Sequence, residues 1–388
     1  MLDWLIIGGG IHGTHMALVL TQRAGVAPER LRILDPHDTL LAQWERCTAA
    51  TGMSHLRSTL VHHLALDPHD LWNFARRNGA SESQFRGPYR RPALELFCAH
   101  CQHQLTTYGL EQVHLRGWAS GLIRTAQGWC VETDQGSVAA RNVLLALSLG
   151  EQPRWPPWAT DLREAGAAVH HVYAPAEPVA AGPDTVVIGG GISAAQVALA
   201  LAEAGSGRVI LLMRHPIRCE DFDSPAGWVG PKELRGFHDE PDLRRRRAMI
   251  AGARRPGSMP SDVVRALHRA ERQGLLGVQR GEVQQAIRMA DGRIQLRVPG
   301  QTIVTQRVVL ATGFTTERPG GAWLDQAIAA HELPVAACGY PVVGPDLAWA
   351  PGLYVTGGLA ELMLGPVARN IAGARHAGVR LVPGRRIH

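Results

Sequence analysis

One device occurs twice in this chain, and little else constrains its fold as strongly. An apolar strand runs into a glycine turn and straight on into an apolar helix. The first copy reads Asp3-Trp4-Leu5-Ile6-Ile7, then Gly8-Gly9-Gly10-Ile11-His12-Gly13, then Thr14 to Leu20. Gly8, Gly10 and Gly13 have the spacing G-x-G-x-x-G. The first glycine permits the tight turn, the second lets backbone approach a pyrophosphate, and the third lets the helix pack against the strand. The pyrophosphate then rests on the positive end of the helix. The next apolar run, Leu31 to Leu34, ends in Asp35, an acid placed to accept hydrogen bonds from ribose hydroxyls.

The second copy is Thr185-Val186-Val187-Ile188, then Gly189-Gly190-Gly191-Ile192-Ser193-Ala194, then Ala195 to Ala200. Ala194 takes the third glycine position, and Gly189, Gly191 and Ser193 complete the turn. The following strand, Arg208 to Met213, ends in Arg214. Arginine suits a 2′-phosphate, hence NADP(H) rather than NAD(H). Two such folds in one chain imply two dinucleotides. FAD plus NADP(H) is the economical pair, the second delivering hydride to the first.

The expected fold class is therefore α/β. Two Rossmann-like three-layer dinucleotide-binding domains are expected, with the NADP(H) domain inserted in a discontinuous FAD domain. A chain of 388 residues exceeds what one hydrophobic core serves. The FAD domain is predicted over 1–178 and 305–388. The NADP(H) domain is predicted over 179–304, with 215–280 as a helical insert available for substrate. Arg307 to Phe314 and Leu353 to Gly358 read as strands returning to a sheet beside a cofactor. A helix is expected from about Gly365, its N-terminus facing the flavin ring.

Composition narrows the class further. Hydrophobic residues at 45% and charged residues at 19% exclude a disordered chain. No apolar run is long enough for a membrane span. The net charge of +6 suits anionic ligands and requires no nucleic acid. The run Arg244 to Arg247 reads as one solvated helical turn. With Asp3 where a cationic leader segment needs basic residues, the six cysteines read as free thiols in a cytoplasmic protein. Cys98 and Cys101 form C-x-x-C, but within an amphipathic helical pattern, so neither a redox pair nor a metal site is expected. His62, His63 and His69 read as solvent-facing or capping residues.

These features together resemble the class B flavin-dependent monooxygenases of the two-dinucleotide-binding-domain superfamily. The resemblance is strongest to the lysine and ornithine N-hydroxylase branch. Besides the two turns, Ala311-Thr312-Gly313-Phe314 is similar to that group's Ala-Thr-Gly-aromatic linker. Leu364-Gly365-Pro366-Val367-Ala368-Arg369 is similar to its C-terminal Leu-Leu-Ser-x-x-Ala-x-Arg pattern. Gly166 and His170 match part of the flavin monooxygenase fingerprint Phe-x-Gly-x-x-x-His-x-x-x-aromatic. Glu164 replaces its Phe, and the aromatic, Tyr173, comes one residue early.

The resemblance implies NADPH-dependent hydroxylation of a nucleophilic nitrogen, on an amine or amino-acid side chain, through a C4a-hydroperoxyflavin. Dioxygen and a small molecule are the implied partners, with a homo-oligomer left open. The implied FAD contacts are Gly8, Gly10, Ile11, His12, Gly13, Asp35, Trp44 and Met53, with Arg57 at an anionic flavin edge, and Thr312, Gly313, Gly358, Gly365 and Pro366. His170 is the implied catalytic histidine. Two rivals remain: a reductase passing electrons to a partner or quinone, and a non-catalytic FAD-binding redox sensor.

Overall fold

The computed structural model describes residues 1–174 and 181–382. Two sheets organise it. The first has eight strands. Its main path runs Ala348–Ala350, Leu353–Val355, Gly136–Leu145, Leu2–Ile7, Leu31–Asp35 and His114–Arg116, and the strands Ala119–Thr125 and Gly128–Thr133 extend it from the 136–145 strand. The 2–7 strand pairs in parallel on both sides, Ile6 opposite Ile33 and Leu144. All three side chains are fully buried. Strands enclosed on both faces need continuous apolar runs, and these have them. Each such side chain contributes about 1.5–3 kcal/mol.

The second sheet has five strands, all parallel. Their order is Gly277–Arg280, Val209–Met213, Thr185–Ile188, Arg307–Leu310 and Val169–His171. Val187 sits opposite Leu211 and Val309 at its centre. A three-stranded antiparallel sheet, residues 285–305, packs over it through Ile294, Leu296 and Ile303 together with Leu162 of the Pro157–Glu164 helix.

The two seams between the sheets do not lie where the sequence reading placed them. Strands 169–171 and 307–310, both assigned to the FAD unit, belong to the second sheet. A run such as Arg307-Val308-Val309-Leu310 is buried along its whole length, and such a run fits the middle of either sheet. The predicted break at 178/179 lies outside the described residues. The chain passes between the sheets at residues 152–154 and 313–315, and these crossings pair with each other. Arg154 N–H donates to Gly313 O at 2.8 Å and Thr315 N–H to Gln152 O at 3.0 Å. Pro153 and Phe314 form an antiparallel bridge. Thr312 Oγ1 adds a bond to Arg154 O at 2.5 Å.

The 215–280 segment is largely helical, as expected, with helices Pro231–Asp239, Leu243–Ala253 and Ser261–Arg272. Phe237 and Ile250 of the first two bury against Tyr340, Leu362 and Val367 of the C-terminal segment. The expected helix at Gly365 starts later. Gly365 has φ +82°, a 3-10 turn follows over Pro366–Arg369, and the helix spans Ile371–Leu381. No helix among the described residues is long and apolar enough to cross a membrane.

Buried imidazoles are frequent in this fold. Burial pushes His15 and His63 down to about 3, and His12, His62 and His171 down to about 4. Each is neutral in the folded chain and titrates near 6.5 once exposed. The unfolded state therefore binds more protons below pH 6.5, and stability falls as the pH drops from there toward 4. Thermal melting across this range is expected to show a flat Tm above about pH 7 and a steady fall below 6.5. A Tm that stayed flat down to about pH 5 would show that these imidazoles are hydrated.

Candidate functional site

The two glycine turns are built alike. Gly8 N–H donates to Leu34 O at 2.8 Å, and Gly189 N–H to Leu212 O at 3.1 Å. Ala146 and Ala311, the residues ending the neighbouring strands, donate to Ile7 O and Ile188 O, each at 2.8 Å. Gly8 has φ +109°, and a Cβ there would meet Ala146 O at 2.6 Å. A Cβ on Gly13 would collide with Gly8 O. Gly10 differs, because no protein atom lies within 4 Å of where its Cβ would be. Two glycines are thus required by the protein's own packing. The third leaves open space at the start of the Ile11–Gln22 helix, where backbone N–H groups point outward. That space and those donors fit a dinucleotide pyrophosphate.

Asp35 lies at the end of its strand, as expected. Its Oδ2 accepts from Gly9 N–H at 2.6 Å, and its Oδ1 from His37 N–H at 3.0 Å and the His37 ring at 2.8 Å. A carboxylate retains acceptor capacity beyond three bonds, so Asp35 holds the turn and still has capacity for a ribose hydroxyl. His12 joins this turn to the C-terminal segment: its Nδ1 lies 3.0 Å from Thr356 Oγ1 and its Nε2 3.1 Å from Asn370 O. Gly357, at φ +64°, packs its backbone on the His12 ring. Gly358 lies beside this contact. Gly365 lies away from it, facing Leu234 and Phe237 of the 231–239 helix, and Pro366 is buried.

Trp44, on the Ala42–Ala50 helix, tilts against Phe97 with ring centroids 5.2 Å apart. Trp44 and Met53 are both partly buried on the same core. Arg46 of that helix reaches the second unit, donating to Tyr173 O and Ala174 O at 3.4 and 3.2 Å. The Tyr173 hydroxyl sits 2.5 Å from Ser193 Oγ in the second turn, and its ring stacks on Phe314 at 4.7 Å. One chain of contacts therefore runs from the helix carrying Trp44 to the second glycine turn.

Several expected residues play other parts. His170 is half-buried on the outermost strand of the second sheet. Its neighbour His171 is the one turned inward, its Nε2 3.2 Å from Thr312 Oγ1. Strand side chains alternate between faces, so these two neighbours point to opposite sides of the sheet. Thr312 and Gly313 serve the paired crossings described above. Because Leu34 and Leu212 are equivalent, the second-copy counterpart of Asp35 is Met213. Arg214 lies one residue further, exposed, with Nη1 4.0 Å from Glu282. Arg57 is not at a free edge, since its guanidinium makes four hydrogen bonds to residues 220, 221 and 258. Cys98 and Cys101 lie on the Leu94–Thr107 helix. Burial pushes the Cys98 thiol up to about 11 and the Cys101 thiol well above its ordinary value, so neither forms a ready thiolate.

The structure also assembles a charge cluster that was not apparent in the sequence. Glu361 is fully buried. Arg254 Nη2 and Arg369 Nε each donate to it at 2.8 Å, and Arg247 pairs with it as well. Burial raises the acid, but Arg254, Arg369 and Arg247 outweigh that and hold it below its ordinary value. Arg369 also donates to the Tyr340 hydroxyl at 2.8 Å, and Arg247 lies over the Tyr340 ring at 4.1 Å. Half of the run Arg244 to Arg247 is therefore not solvated. Arg246 and Arg247 bind carbonyl and carboxylate oxygens of the C-terminal segment. Arg254 is the extended residue that follows this helix, seven positions past Arg247, and no helical periodicity links the two in the sequence.

A five-strand parallel sheet and an eight-strand mixed sheet, each with a glycine turn at a strand end, define a two-dinucleotide-binding-domain flavoprotein. A family model described as FAD-NAD(P)-binding matches residues 5–150. A second model, L-lysine 6-monooxygenase/L-ornithine 5-monooxygenase, matches residues 91–316, more than half the chain. The chain belongs to the L-lysine 6-monooxygenase/L-ornithine 5-monooxygenase family. It is an FAD- and NADPH-dependent oxidoreductase of the nitrogen-hydroxylating class.

Solved structures agree in fold. The FAD-bound cadaverine monooxygenase of Erwinia amylovora aligns with TM-score 0.77 at 16% identity, covering 100% of this chain and 96% of that one. The ornithine hydroxylase of Pseudomonas aeruginosa gives 0.75 at 16% identity, with 98% of both chains covered. The ornithine N-hydroxylase of Kutzneria sp. 744, solved with reduced FAD, NADP+ and L-ornithine, gives 0.74 at 16% identity, again with 98% of both covered. No curated protein sequence matches the chain.

The contrast between the glycines is testable. Gly13→Val is expected to lower soluble yield and melting temperature, because the side chain enters the Gly8 carbonyl. Gly10→Ala should keep the native melting temperature of the cofactor-free protein and lose FAD, read from the 450 nm absorbance after gel filtration. Full FAD retention in Gly10→Ala would show that the open face is not the pyrophosphate seat.

Proposed function

We propose that the chain hydroxylates the nitrogen of a small aliphatic amine, with FAD seated on residues 8–13 and NADPH on residues 189–194. The observation that carries this reading is the contact path from the Trp44 helix through Arg46 and Tyr173 to Ser193, which brings the second turn up to the wall of the first site. On this reading the FAD unit comprises about 1–152 and 315–382, and the NADP(H) unit about 154–313. The lysine, ornithine and diamine hydroxylases of like fold suggest the substrate class. When bound, the flavin supplies dioxygen activation with electrons taken from NADPH.

The protein's own part is binding, orientation and shelter. Gly10 and the N–H groups of the first helix hold the pyrophosphate. Asp35 and Gly9 shape the ribose side. Trp44 and Met53 would line the flavin ring, and the contacts of His12 with Thr356 and Asn370 join the first turn to the C-terminal segment. No side chain at this site is assigned as a nucleophile. Arg214 is the proposed 2′-phosphate partner, its long stem reaching past the strand end. Its exposure leaves it free to turn from Glu282. We place the reaction in the cytoplasm, in keeping with the free cysteines.

Incubation of the FAD-loaded protein with NADPH, air and L-lysine, L-ornithine or cadaverine is expected to yield a hydroxylamine from at least one of them, detected by mass as one added oxygen. NADPH consumption with peroxide and no oxygenated amine from any would overturn the reading. Arg214→Ala is expected to raise KM for NADPH about tenfold or more while leaving KM for NADH nearly unchanged. An unaltered NADPH preference would remove Arg214 from the site.

A further inference from the structure

Arg57 was expected at the flavin edge, and the structure puts it to a different use. It leaves a loop already pinned on its own side. Leu56 N–H donates to Pro92 O at 2.9 Å, Leu94 N–H donates to Ser54 O at 2.9 Å, and His55 bridges to Ala93. From this fixed base the guanidinium crosses to the segment inserted between the second turn and its last strand. Nε donates to Asp221 O at 3.1 Å, Nη2 to Glu220 O at 2.8 Å and Ser258 Oγ at 2.9 Å, and Nη1 to Ser258 O at 3.3 Å. Four bonds to three residues use most of the five donors that a guanidinium has. Burial lowers the Arg57 pKa, with Asp223, Glu220 and Asp221 opposing. The group nevertheless stays charged at any working pH.

The gripped loop matters because of where it leads. Two residues past Asp221, Asp223 Oδ1 accepts from Asn370 Nδ2 at 3.0 Å. Asn370 O lies 3.1 Å from the His12 ring in the first glycine turn. Next to it, Phe222 packs on Tyr89 of the FAD unit with centroids 4.6 Å apart. Loop 220–223 is thus tied across to the FAD unit at three points, by Arg57 at its start, by Tyr89 at Phe222 and by Asn370 at its end, while within its own segment Glu220 N–H donates to Met259 O at 3.0 Å and Arg255 N–H to Asp223 O at 2.6 Å. Lysine could not do this, since one ammonium has three donors and cannot present a planar fork to four acceptors.

We propose that Arg57 is a positioning residue that clamps loop 220–223 of the inserted segment over the flavin end of the first turn. The clamp keeps water out while oxygen is transferred. This inference rests on the monooxygenase reading above. A loosened clamp admits water, and the dioxygen reduced with two electrons from NADPH then leaves as hydrogen peroxide, instead of one oxygen atom going to the amine nitrogen and the other to water.

The test uses the full-length FAD-loaded protein with two variants. Arg57→Met keeps the stem and removes every donor. Arg57→Lys keeps the charge and removes the fork, and it carries the test alone if Arg57→Met does not fold. Backbone amide hydrogen exchange is the first readout. Amides of 219–224 and 257–259 are expected to exchange about tenfold faster or more in both variants, with strands 2–7 and 185–188 unchanged. The second readout is peroxide released per NADPH oxidised, measured with whichever of L-lysine, L-ornithine and cadaverine the native chain hydroxylates. The peroxide share should rise several-fold at an unchanged kcat for NADPH oxidation. Native exchange in both variants, or native coupling once exchange has quickened, would overturn the clamp. So would full rescue by lysine. If the native chain hydroxylates none of the three amines, the monooxygenase reading fails, and hydrogen exchange still decides whether Arg57 holds the loop.

Discussion

Everything in this molecule is referred to a backbone contact that tolerates no side chain. At the first turn the Gly8 carbonyl fills the space a Cβ on Gly13 would occupy, and Gly8 itself lies against the Ala146 carbonyl. The second turn repeats only the strand-side half of this, with Gly189 lying against the Ala311 carbonyl, while Ala194 stands where the first turn has Gly13. This close approach lets a helix start directly at the end of a parallel strand. Its positive end then lies at the sheet's carboxyl edge, where an anionic cofactor belongs. Gly10 is the complement, because its open face supplies room that the protein does not use. The same turn thus satisfies packing with two of its glycines and ligand access with the third.

Two such turns serve one reaction only if their units hold a defined relation, and arginine provides much of that relation. Arg46 grips the backbone at Tyr173, Arg57 grips the loops at 220 and 258, and Arg91 pairs with Asp262 at 2.6 Å. In the same way Arg247, Arg254 and Arg369 converge on buried Glu361 and tie the 243–253 helix to the C-terminal segment. A guanidinium suits this work because it presents several donors in one plane and never loses its charge. A buried carboxylate with fewer partners would carry a desolvation cost of several kcal/mol. The arginine-rich composition, with Lys232 the lone lysine, thus has a structural use beyond net charge.

The paired crossings give the family's linker motif a physical meaning. Thr312 and Gly313 do not lie at a free loop. They pair with Arg154, and Thr315 pairs with Gln152, so both connections between the units form one short antiparallel ribbon. Tyr173 and Phe314 stack beside it, and His171 packs between Trp155 and Tyr173. A ribbon of this kind resists shear but permits bending. That suits a unit which must admit a nicotinamide cofactor and then stay aligned.

By itself the sequence determined the fold class, both cofactors and the two turns, because those depend on local rules: apolar runs, glycine at fixed spacing, an acid at a strand end. The strand ending in Asp35 was legible in the same way, as an apolar run closed by an acid. The seams at 152–154 and 313–315 were decided by tertiary pairing, since a buried strand such as 307–310 carries no mark of which sheet it joins. That His171 rather than His170 turns inward followed from strand alternation against a neighbouring unit. Met213 as the counterpart of Asp35 followed from hydrogen-bond register. The roles of Arg57, Gly365 and Glu361 depend on partners more than 100 residues away for all but one contact of Glu361. Spacing along the chain encodes what a residue does within its own turn or helix. Only the folded chain brings together groups whose meaning lies in the distant segment they touch.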